Sequence, residues 1–120
     1  MAACVSAGAP DAVVEALRVH ASDEAVAENA CCALANLAAH DAGKAACLSA
    51  SAPNVVIAAL RAHTSDRAIA EQVRRAVINL AESDAGRAAC VSAGAPRAVV
   101  AARAHASDRA PFTAALHALE

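Results

Sequence analysis

The chain has 120 residues, enough for one small domain, and a formal net charge of −2. Forty residues are Ala and the only aromatic side chain is one Phe, so any core must be built from Leu, Val, Ile, Ala and Cys in a strongly helix-favouring sequence. The lack of a basic stripe excludes electrostatic binding of nucleic acid, and charged residues interrupt every apolar run before it reaches membrane-spanning length.

Taken in chain order, the first predicted element is a short helix clipped to residues 2–7. Gly8 follows, where a left-handed residue closes a helix, and Pro10 suits the first turn of a second helix over 11–20. Val13, Val14 and Leu17 share one face of that helix. Ser22 is the expected N-cap of a third helix over 23–39, with Asp23 at the positive end of its dipole. The core stripe of that helix is Val26, Ala30, Ala33, Leu34 and Leu37. Asp41-Ala42-Gly43 reads as a link, and the cycle restarts. A short helix over 43–50 ends at Ser51, which stands where Gly8 stood. Pro53 opens a helix over 54–63 with Val56, Ile57 and Leu60 inward. Ser65 caps a helix over 66–82 with Ile69, Val73, Ala76, Val77 and Leu80 inward. Asp84-Ala85-Gly86 is a second link, followed by a helix over 86–93, Gly94, Pro96, a helix over 97–105 and Ser107 as the next cap.

The third helices carry a recurring stretch. Glu28-Asn29-Ala30-Cys31-Cys32-Ala33-Leu34-Ala35-Asn36-Leu37-Ala38 returns as Glu71-Gln72-Val73-Arg74-Arg75-Ala76-Val77-Ile78-Asn79-Leu80-Ala81, with the two Asn residues 43 positions apart. More than half of the aligned positions of 2–44 and 45–87 are identical. A third copy, 88–120, follows the pattern until it loses one residue at Ala101-Ala102-Arg103 and diverges after Arg109. Pro111-Phe112-Thr113 has no counterpart in the earlier copies, and Ala118 stands where a third Asn is expected. A fixed period of this size predicts an all-α stack of repeats, a solenoid.

Cys4, Cys47 and Cys90 occupy one repeat position. Equivalent positions in stacked helices lie roughly ten ångströms apart, too far for a disulfide. They read as small buried hydrophobes. An odd count of five Cys points to reduced thiols and an intracellular setting, the cytoplasm first and the nucleus second. His20, His63 and His105 also recur, but a metal needs ligands converging on one point, so they read as residues favoured near a helix C-terminus. Neither a metal nor a cofactor is expected. With no phosphate loop, nucleophile elbow or zinc-protease motif in the sequence, an enzyme is not expected either.

A three-helix unit with Gly8-Ala9-Pro10-Asp11-Ala12-Val13-Val14-Glu15-Ala16-Leu17 followed by Ala30-Cys31-Cys32-Ala33-Leu34-Ala35-Asn36-Leu37-Ala38 resembles the armadillo repeat, over nearly the whole chain to about Arg109. The resemblance implies a right-handed superhelix in which the third helices line a concave groove. That groove would bind an extended peptide segment of another protein, with Asn36 and Asn79 on the peptide backbone. The position four residues before the Asn is often Trp in nuclear-import receptors. Here it is Cys32 and Arg75, so the likeness to those receptors stops at the fold.

Glu28, Cys32 and Asn36, and again Glu71, Arg75 and Asn79, are spaced i, i+4, i+8 along one helix face and form the candidate groove floor. The alternative is that the two Asn residues only bond a neighbouring loop and hold the stack. Glu71 and Arg75 could be a plain surface ion pair. Cys31 is expected half-buried and Cys32 open to the groove, with Glu28 and Asn36 supplying no cation beside its thiol. A second function is structural: a self-assembling unit, or a fragment of a longer array, associating through exposed ends. In that reading Val5, Val13 and Val14 lack a covering unit, and Pro111 and Phe112 act as a crude C-terminal cap.

Overall fold

The computed structural model describes residues 9–104 and 110–120, and all of the described regular structure is helical. The helices are α1 (Ala9–Val19), α2 (Glu24–Ala38), α3 (Asp41–Ser49), α4 (Ala52–Ala62), α5 (Arg67–Leu80), α6 (Asp84–Ser92), α7 (Ala95–Ala104) and α8 (Ala110–Ala118). The described helices stack as an α-solenoid. The third helices α2, α5 and α8 stack side by side in one layer. The second helices α1, α4 and α7 stack in another, and the first helices α3 and α6 cross between successive units. The helix expected over 2–7 lies outside the described residues, as do Cys4, Val5, Gly8, His105 and Ser107.

Small side chains let the helices approach. Ala27, Cys31, Leu34 and Ala38 form the fully buried line of α2, with Ala30, Ala35 and Leu37 beside them. The expected stripe is therefore rotated: Val26 and Ala33 are only half-buried, and Cys31, expected half-buried, has no exposure. The reason is that α2 packs against α1 and α3 on one side and α5 on another, which widens its buried arc. In α5 the buried set is Ile69, Ala70, Val73, Ala76, Val77 and Leu80. Val14 and Leu17 of α1, and Val56, Ile57 and Leu60 of α4, are buried as their spacing predicts. Val14 is not left bare at the N-terminal end, and Val13 is half-buried.

The caps differ from the sequence reading by one residue. Asp23 and Asp66, not Ser22 and Ser65, are the N-caps: Asp23 Oδ1 accepts from Val26 N at 3.1 Å and Asp66 Oδ1 from Ile69 N at 3.0 Å. A carboxylate both accepts that bond and adds charge at the positive helix end, which favours it over the preceding hydroxyl. Ser83 caps α6 in the same way, accepting from Gly86 N at 3.0 Å.

Asp41-Ala42-Gly43 and Asp84-Ala85-Gly86 are not links but the first turns of α3 and α6. Each glycine lies against the end of the preceding third helix. A Cβ on Gly43 would stand 1.9 Å from Leu37 O, and one on Gly86 would stand 1.7 Å from Leu80 O. Close approach of two backbones, not a special dihedral angle, requires glycine there. Among the described residues the left-handed positions are Gly94, with φ +86°, and Ser51, with φ 65°.

The diverged tail keeps its place in the stack. Helix α8 packs on α5 as α5 packs on α2. Its buried residues Phe112, Ala115 and Leu119 match Ala70, Val73 and Val77 once the one lost residue is allowed for. Phe112 is a core residue of the third layer helix, and Pro111 falls in the first turn of α8. In this register Ala118 matches Ala76 and not Asn79, and Glu120 matches Ile78.

Ser51→Gly should therefore raise stability by about 1 kcal/mol, since a Cβ in the left-handed region costs about that much. Gly43→Ala should lower stability by about 1–3 kcal/mol, despite the better helix propensity of Ala, because backbone must shift to admit the Cβ. Urea denaturation followed by circular dichroism measures both; two shifts of the same sign would contradict this account.

Candidate functional site

The face shared by α2, α5 and α8 carries the predicted residues, and the structure treats them unequally. Asn79 is half-buried and its Nδ2 donates to Ala35 O of α2 at 2.9 Å. That carbonyl is free because the next N–H in line, from Ala39, turns to Asn36 O at 3.3 Å as α2 ends. Asn79 thus caps an unpaired carbonyl at the C-terminus of the preceding unit's third helix. The acceptor belongs to a helix end and not to a neighbouring loop. One amide hydrogen and the carbonyl oxygen of Asn79 have no described bond.

Asn36 has no preceding described unit to cap, and its side chain is exposed. Its Oδ1 accepts from Arg75 Nη2 at 2.8 Å, and its Nδ2 lies 3.8 Å from Cys32 Sγ. Arg75 Nη1 reaches Cys32 Sγ at 4.0 Å and also donates to Gln72 Oε1. Arg75 therefore crosses from α5 to α2 and joins the two candidate triplets. A cation does stand beside the Cys32 thiol, from the next unit, where sequence neighbours alone supplied none. Cys32 and Arg75 occupy the same repeat position, so stacking brings them together.

Glu71 pairs with Arg74, not with Arg75. Arg74 Nε donates to Glu71 Oε2 at 3.1 Å, and its Nη2 contacts the other oxygen. The hydrogen bond from Arg74 holds the Glu71 carboxyl below its usual range; burial opposes this slightly, and the charges of Arg74 and Arg75 assist it. A spacing of three competes with a spacing of four on a helix surface, and Arg75 has other acceptors. Glu28 is half-buried on α2 and has no described hydrogen bond or ion pair.

The other described thiols, Cys31, Cys47 and Cys90, are buried. Burial pushes Cys31 up to about 12, with the neighbouring Cys32 adding to the effect. Burial alone pushes Cys47 and Cys90 up to about 11. Cys47 Sγ contacts Leu34 O at 4.0 Å inside the core. His63, the described repeat of the His series with a bond, donates Nε2–H to Ala21 O at 2.8 Å, another tie to the preceding unit. Among the described residues no group of three or more His, Cys, Asp or Glu side chains could hold a metal ion. Nor is any single described helix long and apolar enough to cross a membrane.

Two features escaped the sequence reading. Lys44 is buried and its Nζ pairs with Glu82 Oε2 at 3.1 Å, bracing the first helix of the middle unit against the end of its third. The period itself carries no sign of this, since Ala39 and Glu82 share one repeat position. His117 stands at the repeat position of Cys32 and Arg75, a match visible only once α8 is seen in register.

The described helices stack as three-helix units with an Asn in each of the first two third helices, and one comparison with known families finds a match. Residues 2–39 match the model of the Armadillo/beta-catenin-like repeat. Neither a curated protein nor a solved structure matches the chain. Armadillo repeats are in general protein-binding modules.

Removing the cap should separate the two Asn residues. Asn79→Ala should cost about 1 kcal/mol of stability by leaving Ala35 O unpaired, whereas Asn36→Ala should cost only a few tenths, as an exposed group. Chemical denaturation of the two single variants decides this, and equal losses would count against the cap assignment.

Proposed function

We propose that the chain is a non-catalytic binding module that holds an extended peptide segment of a partner protein along the face formed by α2, α5 and α8, the concave groove of an armadillo superhelix. The observation that supports this reading most is the row of incompletely used polar groups on that face. Asn36, Arg75 and Cys32 contact one another across two units, Glu28 has no described partner, and Asn79 keeps part of its carboxamide. Donors and acceptors left over at the repeat spacing suit an extended backbone, whose peptide groups also recur regularly. Glu28, Glu71 and Arg75 would then select side chains. The proposal includes a reducing, intracellular setting, because Cys31, Cys47 and Cys90 are buried free thiols.

The test is selection of ten-residue peptides from a random displayed library, followed by calorimetric titration of the selected peptides. Binding at one peptide per chain should weaken about tenfold or more in Asn36→Ala/Asn79→Ala, in a range where that variant remains folded. Peptides that bind both proteins equally would remove the groove from the account.

A second reading, self-assembly through the ends of the solenoid, has its own observation. Val100 is 46% exposed, although its repeat equivalents Val14 and Ile57 are 2% and 1% exposed. Val91 is likewise exposed where Leu48 is half-buried. At the internal junction Ile57 lies on α4, which packs against α7 of the following unit, so Val100 is a surface shaped for one more unit. Sedimentation equilibrium should then show a mass rising with concentration, and Val91→Lys/Val100→Lys should abolish the rise; a monomer at every concentration would remove this reading.

A further inference from the structure

We infer that the groove reads one acidic side chain of the partner segment, an Asp or Glu carboxylate, at Arg75. This rests on the peptide-binding reading above and adds the chemistry of the partner. Four cations of the described structure pair with carboxylates, Arg18 with Glu15, Lys44 with Glu82, Arg74 with Glu71 and Arg87 with Asp84, while Arg61 donates to Gly94 O and Arg67 and Arg97 have no described carboxylate partner. Arg75 has none either. It is half-buried at the centre of the shared face, and its described contacts are the neutral Gln72 Oε1, Asn36 Oδ1 and Cys32 Sγ.

The geometry of the guanidinium narrows the ligand. Arg has five N–H donors in a planar fork. The three described bonds of Arg75 use both hydrogens of Nη1 and one of Nη2. Its Nε–H and one Nη2–H are left. The adjacent Arg74 turns those same two nitrogens, Nε and Nη2, onto the two oxygens of Glu71. Arg75 keeps the same two nitrogens available, with its orientation set by Asn36 and Gln72. Such a fork matches a planar carboxylate in a bidentate pair.

The surrounding charges favour a single carboxylate over an acidic run or a phosphate. Glu28 and Glu71 lie one helical turn before Cys32 and Arg75, roughly 6 Å along the same face. Glu71 is engaged by Arg74, but both carboxylates would repel a dianion or a second acidic side chain placed over them. His117 of α8 follows Arg75 in the row by register and adds no negative charge.

The same peptide library supplies the test. Selected peptides should share one Asp or Glu at a fixed place, and replacing it by Asn or Gln should weaken binding about tenfold. Arg75→Gln should bring the acidic and amide peptides to equal affinity. Arg75→Glu should turn the preference to Lys or Arg at that place, which loss of a merely structural contact would not do. Peptides that bind through Asn36 and Asn79 without an acidic preference, or with a phosphate or a basic side chain there, would overturn this inference and leave the groove reading standing. A library that yields no peptide, with folding checked by circular dichroism, would overturn both.

Discussion

The structure depends on how one unit closes the helix ends of its neighbour. A helix terminus leaves carbonyls without partners, and in a stack of short helices such ends recur every few residues of contour. Here the following unit supplies the donors. Asn79 reaches Ala35 O at the end of α2, and His63 reaches Ala21 O in the turn after α1. The two ties lie in different layers of the solenoid, one at the third helix and one at the second, so they fix the second unit on the first at two separate points. Stacking on the preceding unit thereby accounts for Asn79 and His63, before any partner is considered.

Between those ties the contact is made by small side chains. Ala27, Ala35, Ala59, Ala70 and Ala76 are buried where larger residues would push helices apart. The same closeness appears at Gly43 and Gly86, whose backbones press on Leu37 O and Leu80 O. A core poor in aromatic residues gains little area per residue, but dispersion contacts grow with such close approach. The thiols Cys31, Cys47 and Cys90 belong to this economy of volume, and burial keeps them protonated.

Much of this was legible in the residues. Period, helix count per unit, the inward faces of α1 and α4 and the left-handed turn at Ser51 all follow from local spacing and turn chemistry. Four things were not. The caps moved from Ser22 and Ser65 to Asp23 and Asp66, because two adjacent good capping residues cannot be ranked without the backbone path. The rotation of the α2 stripe onto Cys31 follows from having neighbours on two sides, which periodicity within one helix does not encode. The bridge from Arg75 to Asn36 and Cys32 joins residues 39 and 43 positions apart, so it appears only when the units are stacked. The tail hid its helix for a similar reason: its sequence left the pattern while Phe112, Ala115 and Leu119 kept the burial.

The ties at Ala35 and Ala21 run in one direction, with donors on the later unit and acceptors on the earlier. A stack built this way has a head and a tail, like a strand of nucleic acid, and its two ends cannot be exchanged. The middle unit carries the donors Asn79 and His63, and its Ile78 and Thr64 carbonyls stand at the repeat positions of the acceptors Ala35 and Ala21, so a following unit with the same two donors would meet matching acceptors. Duplication of the middle unit would therefore keep both ties at the new junction.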